Sequence, residues 1–222
     1  MDYKGVALVL KRTNFGEADR IVHFLTPEGG VGVLAKGVRK EKSRLAGGIE
    51  PFCLSEIVVR MGKGELGVLT AARLRQFYGG ILEDYDRLQL GYEALKMAYK
   101  ASAGISDGSF FEILQQVLAE LDKGGDLTII RAWLYLNMAK ASGGEPNLRT
   151  DGHGMQLIED GKYEFDVGHE VLVPAANGSI GATHIKLARL MLSSSLAIVL
   201  KVRVGKDFSE QVLQFANKLA RN

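Results

Sequence analysis

The feature that most constrains this chain is a set of five short apolar runs near its start, packed into about 75 residues and each ended by turn formers. Residues 3–12 close with VALVLKR, dominated by β-branched and aliphatic side chains, and NFGEAD ends the run. RIVHFLT alternates Ile21, His23 and Leu25 against Val22 and Phe24. PEGG breaks the chain again and VGVLAKG resumes it. PFCLSEIVVRM puts Phe52, Leu54 and Glu56 on one face and Cys53, Ser55 and Ile57 on the other. GKGELGVLTAARLRQ supplies a turn and a fifth strand.

Five short antiparallel strands at this spacing predict a small barrel. The oligonucleotide-binding (OB) barrel is the leading candidate, although strand count alone does not choose it over other small barrels. Near residue 80 the period changes. ILEDYDRLQLGYEALKMAYKAS carries Leu82, Tyr85, Leu88, Tyr92, Leu95 and Tyr99 at helical steps. SFFEILQQVLAELDKG carries Phe110, Leu114, Val117 and Leu121, with Ser109 or Asp107 as N-cap and Gly124 as a stop. DLTIIRAWLYLNMAKASGG is a third helix, capped by Asp126, with the only tryptophan, Trp133, as a core anchor. Residues 143–181 lose helical periodicity, and MQLIEDGKYEFDV reads as a hairpin around Asp160-Gly161. THIKLARLMLSS and DFSEQVLQFANKLAR close the chain as helices, the last with Asp207 and Glu210 at capping-box spacing. The pattern predicts an α+β protein: a five-stranded OB-type barrel over 1–79, then a mainly helical domain over 80–222 with an irregular insertion at 143–181.

Net charge is only +2, but its distribution is uneven. Residues 1–80 hold 13 Lys and Arg against 8 Asp and Glu; residues 81–222 hold 15 against 18. The excess concentrates in AKGVRKEKSR, where Lys36, Arg39, Lys40, Lys42 and Arg44 face only Glu41. Such a cluster fits a polyanion site, or a solvated face balanced by the acidic remainder. Cations on a loop between barrel strands can follow a phosphate backbone, and Arg12, Arg20, Arg60 and Lys63 are candidates to extend that surface. Single strands also favour stacking platforms. Phe24, Phe52 and Tyr3 read as core; Phe15, beside a turn, reads as exposed.

Signals for catalysis are weak. Gly30, Gly32 and Ala35 fit G-x-G-x-x-A, but no helix pattern opens there, so the segment reads as a strand. Cys53 is the sole cysteine and looks like a buried strand residue, which excludes a disulfide framework and a cysteine zinc cage. Asp151, His153 and His169 are a sparse metal-site candidate in one irregular segment. An enzyme would need His23, His169 or His184 gathered with carboxylates in a pocket. LARLMLSSSLAIVLKV is interrupted by Arg189 and three serines, so no membrane span is expected. The N-terminus lacks a signal-peptide pattern, and the expected location is cytoplasmic.

The pieces VLKR, GEADRI, LTPEGG, AKGVRK-x-KSRLAG-x-IEPF and GKGELGVLT stand in an order and spacing that resemble the RecO family, bacterial recombination mediators of the RecF pathway. DYDRL, GGDLTIIRAWLYLNM and GGEPNL continue the resemblance more weakly. It implies a nucleoid-associated, non-catalytic protein. It also implies binding of single- and double-stranded DNA, annealing of complementary strands, help in loading recombinase, and partnership with RecR and single-strand-binding protein. Carried onto this chain, the contact candidates are Lys36, Arg39, Lys40, Lys42 and Arg44. A different OB module for RNA or single-stranded DNA, without annealing, is the alternative.

One departure stands out. Many RecO proteins carry a four-cysteine zinc module after a G-x-x-P-x-L element. Here Gly143-Gly144-Glu145-Pro146-Asn147-Leu148 leads into RTDGHG, with Asp151 and His153 near where the first cysteine pair would fall and no second pair through residue 180. The resemblance therefore implies a lost zinc site and a hairpin held by packing. The helical part after it also looks short, which bears on any docking site for the single-strand-binding protein there.

Overall fold

A computed structural model of the chain describes residues 2–220, apart from 63, 65, 104–107, 167 and 204. Two compact units divide at Gly124: Met1–Gly124 and Gly125–Asn222. The change of period near residue 80 marks the end of the sheet, while the compact first unit takes in two helices beyond it.

The strands of the first unit are β1 (Tyr3–Phe15), β2 (Asp19–Thr26), β3 (Gly29–Ala35), β4 (Cys53–Arg60) and β5 (Gly67–Phe77). They close in the order β1-β2-β3-β5-β4, with β4 returning to β1. One long strand makes closure possible. β1 pairs with β4 from Tyr3 to Leu8 and with β2 from Leu8 to Phe15, bending at an irregularity between Val9 and Lys11. The expectation of an all-antiparallel barrel fails at one seam: β3 and β5 run parallel, Val33 opposite Gly67 and Leu34 opposite Val68. An odd number of strands cannot close with every neighbour antiparallel. This is an OB-fold barrel.

Ala7, Val9, Val22, Phe24, Val33, Cys53, Ile57, Val59 and Leu69 fill the interior. Leu8 and Leu25, register partners on the other face of β1 and β2, are fully buried as well. There α1 (Tyr85–Ala101) and α2 (Ser109–Asp122) lie against the barrel wall. Burial on both faces explains why VALVL is a continuous apolar run and not an alternating one.

The α2 stripe is as the periodicity predicts: Phe110, Leu114, Val117 and Leu121 are buried. Its N-cap differs. Gly108 holds that position without a side-chain bond, Ser109 is already helical, and Asp107 lies outside the described residues. The α1 stripe is a correction. Leu90, Gly91, Ala94, Leu95 and Ala98 are buried, while Tyr85 and Tyr92 are exposed; Leu82 is exposed in the 3-10 turn Gly79–Glu83. Small residues let this helix approach closely, so of the predicted stripe Leu95 is buried while Tyr85 and Tyr92 stay exposed.

The second unit is built on α3 (Leu127–Ala141), capped by Asp126, whose carboxylate accepts from the Thr128 and Ile129 amides. Trp133 is buried and donates from Nε1 to the Ser194 carbonyl at 3.1 Å. α4 (Ala182–Ser193), the short α5 (Leu196–Val199) and α6 (Lys206–Ala220) surround α3. Asp207 lies inside the first turn of α6 and does not cap it. There its charge favours the helix N-terminus through the dipole. The predicted hairpin is real but displaced. β6 (Tyr163–Asp166) pairs with β7 (Val171–Pro174), so the reversal falls after Asp166 and not at Asp160-Gly161. The Asp166 carboxylate secures it by accepting from the Gly168 and His169 amides. Phe165 then packs edge-on to Phe215 of α6 at 4.9 Å.

Gly48 explains the glycine-rich piece that follows the basic stretch. It lies in a 3-10 turn, Ala46–Gly48, pressed against β5. A Cβ there would sit 2.8 Å from the Ala72 Cβ and 2.9 Å from its backbone carbonyl carbon and oxygen. Backbone cannot yield as a flexible side chain can. Gly48→Ala is expected to destabilise the first unit by about 1–3 kcal/mol, read as a lower urea midpoint.

Candidate nucleic-acid interface

The basic stretch links β3 to β4 across one end of the barrel. It is not a free loop. Val38 is buried in the barrel core between exposed Lys36 and Arg39, and Ile49 is fully buried at the far end. Leu45 and Ala46 pack on the same core from the side. The backbone is tied down as well. The Gly37 amide donates to the Asp19 carboxylate at 2.6 Å, and the Arg39 amide donates to the Ala18 carbonyl at 2.9 Å. Arg39 also donates from its guanidinium to the Gly16 carbonyl at 3.3 Å, and the Ser43 amide to the Lys40 carbonyl at 3.0 Å.

The bonds to Asp19, Ala18 and Gly16 join the stretch to the β1–β2 turn. Lys36, Arg39, Lys40, Lys42 and Arg44 are all exposed, and among the described residues none of them is ion-paired with a carboxylate. Phe15, at the end of β1 and next to the Gly16 carbonyl that Arg39 holds, is 52% exposed. The anticipated exposed aromatic thus stands beside the cations. Phe24 and Phe52 are core, and Tyr3 is partly buried.

The cations proposed to extend this surface divide. Arg12 is ion-paired with Glu50, and Arg20 reaches the same carboxylate at 3.6 Å while donating to the Asn14 side chain at 3.1 Å. Glu50 therefore compensates both, a role sequence reasoning missed; nothing local in the chain marks a partner 38 residues away. Arg60 is exposed, and Lys63 lies outside the described residues. In the helices, Arg87 donates to the Gly80 carbonyl and Lys140 pairs with Glu145 at 3.2 Å.

The histidines and the lone cysteine are used elsewhere. His23 stacks edge-on to Tyr99 at 5.0 Å, and burial, then the Lys11 charge, lowers its pKa below the ordinary histidine value. His184 accepts from the Gly181 amide through Nδ1 and bonds Gln211 through Nε2. His169 pairs with Asp166 at 2.9 Å on the hairpin turn. Asp151 spends one carboxylate oxygen on the His153 and Met155 amides. Among the described residues no group of three His, Cys, Asp or Glu side chains comes together. The G-x-G-x-x-A segment is plain strand β3. Among the described residues no helix is long and apolar enough to cross a membrane.

Fold and surface together define a class: an OB-fold protein with an anchored cationic loop and an exposed aromatic at one end of its barrel. Comparison narrows it. Residues 1–78 match the family model for the recombination protein O N-terminal domain. A DNA repair protein RecO of Dehalococcoides mccartyi is 26% identical over 219 residues, covering 95% of this chain and 86% of the relative. One from Syntrophomonas wolfei is 25% identical over 94% of this chain and 86% of the relative. One from a Roseiflexus species is 30% identical over 88% of this chain and 66% of the relative. The chain belongs to the RecO family.

Cys53 offers a check on the barrel interior. Burial is the main cause that raises its pKa, with the Glu50 charge second, so the reactive thiolate is scarce at neutral pH. A thiol reagent such as Ellman's is expected to titrate no sulfhydryl in the native protein and one per chain after denaturation.

Proposed function

We propose that this protein is a DNA repair and recombination mediator without a catalytic centre. It binds single- and double-stranded DNA, anneals complementary strands and helps load recombinase in the RecF pathway. RecR and single-strand-binding protein are its partners, and it works in the cytoplasm at the nucleoid. Its 143–181 segment works without zinc. Tyr163, Phe165, Leu172 and Ile180 are buried there, which supports a module held by packing.

The observation that carries the reading is the anchored loop whose five exposed cations have no carboxylate partner among the described residues and stand beside exposed Phe15. Each phosphate neutralised by Lys or Arg releases counterions, with a slope of log affinity on log salt near −0.7 per contact on single strands and −0.9 on duplex. Because Val38 and Ile49 hold the backbone, binding orders side chains only, which lowers its entropic cost. Annealing follows from proximity: two strands held along one cationic surface meet at high effective concentration.

The test is strand annealing. Two complementary labelled strands, bare or coated with single-strand-binding protein, are mixed with and without the protein across a salt series. Acceleration that fades with salt is expected, and that fades further in a charge reversal of Lys36, Arg39, Lys40, Lys42 and Arg44. The reversal is also expected to weaken binding across sequences and flatten the salt slope. An unchanged slope would overturn this placement of the site. Binding without acceleration, or a preference for RNA over DNA of equal length, would leave a generic OB module.

Glu50 supplies the opposite test. Glu50→Gln releases Arg12 and Arg20 from compensation. Binding of duplex DNA is expected to tighten several-fold at low salt, with a slope steeper by up to about 0.9 per newly engaged phosphate.

A further inference from the structure

The first unit carries a second feature that the cationic loop does not use. A cavity of about 340 Å³ opens between the end of β5, the 3-10 turn Gly79–Glu83 and α1. Leu74, Phe77, Leu82 and Tyr92 form its apolar walls, and each is roughly half exposed. Arg12 and Glu50, joined to each other, form its polar wall. The Tyr92 ring is held by an edge contact to Phe52 at 4.9 Å. Phe52 itself is buried with φ of 61°, a backbone conformation that bulky residues rarely adopt. Tyr92 is therefore backed by a buried ring.

We infer that this cavity takes an unpaired nucleobase of a bound single strand, an inference that rests on the nucleic-acid reading above. Three observations select this occupant. A phosphate does not fit, because Glu50 presents a carboxylate and cancels Arg12. A flat heterocycle does: its faces suit Phe77 and Tyr92, and its edge carries both donors and acceptors for the Glu50 carboxylate and the Arg12 guanidinium. Continuity is the third. Gly47 lines the cavity and lies three residues beyond Arg44, so the last cation of the loop is within about 11 Å along the backbone. A strand whose phosphates rest on the loop can turn a base into the cavity. The site removes that base from pairing until a complementary strand competes for it.

The experiment compares a short oligothymidine with an abasic strand of equal length, so that phosphate charge is constant. Wild-type protein is expected to bind the thymidine strand about tenfold or more tightly. Phe77→Ala should remove most of that preference while leaving abasic affinity and salt slope unchanged. Phe77→Leu, which keeps the apolar surface but loses the aromatic plane, should behave alike and guards against misfolding. Phe15→Ala, run in parallel, should retain a preference that Phe77→Ala then removes. A strand bearing 5-iodouracil should crosslink to Phe77 or Tyr92. A base preference that survives both Phe77 variants, or crosslinks confined to Phe15, would place the base outside the cavity and overturn the inference. Equal binding of both strands by wild type would overturn it while leaving the cationic loop intact. Binding of neither would remove the nucleic-acid reading and this inference with it.

Discussion

The surface of the first unit depends on burial of the β3–β4 connection in the barrel it bridges. Val38 enters the core from one side of the basic stretch and Ile49 from the other, with Leu45 and Ala46 against its flank. Without those anchors, five cations in a short segment would repel one another and extend as a solvated loop. With them, hydrophobic burial offsets the repulsion, and the charges are presented in a set arrangement. The same burial requires glycine at position 48, where the backbone meets Ala72 of β5.

Electrostatics then sort the cations into two groups. Glu50 follows directly on the buried Ile49, and its carboxylate draws in Arg12 and Arg20 from β1 and β2. The cations of the loop have no such partner among the described residues. Neighbouring arginines and lysines thus differ in role: two hold the barrel end together, while five face solvent. Arg12 and Glu50 border the apolar cavity, and the exposed cations of the loop precede Glu50 in the same connection.

In the second unit, packing seats the irregular segment on the helices. The short β6–β7 hairpin is seated on α6 by Phe165 and Phe215, and its turn is closed by Asp166 and His169. A two-stranded hairpin is marginal alone, and a helix beneath its apolar face supplies the missing stabilisation.

Much of this was legible in the chain because it follows from local periodicity. Alternation in CLSEIVV set Cys53, Ser55 and Ile57 on one face, the Phe110-Leu114-Val117-Leu121 stripe set the buried face of α2, and Asp126 marked the start of α3. The crowding of Lys36, Arg39, Lys40, Lys42 and Arg44 is likewise a property of sequence. What needed the tertiary structure were pairings between distant residues. Glu50 meets Arg12 only because the barrel closes; β3 lies parallel to β5 for the same reason. α1 turns its small residues inward because close approach to the barrel wall outweighs the size of its apolar side chains, leaving Tyr92 outside. Leu74, Phe77, Leu82 and Tyr92, scattered over three elements, become one cavity wall only when those elements pack. Sequence by itself determined the five barrel strands, the long helices and the clustering of charge, since each is set within a few residues. The tertiary structure alone decided which charges are paired and which aromatics stay exposed, since both depend on contacts made across the fold.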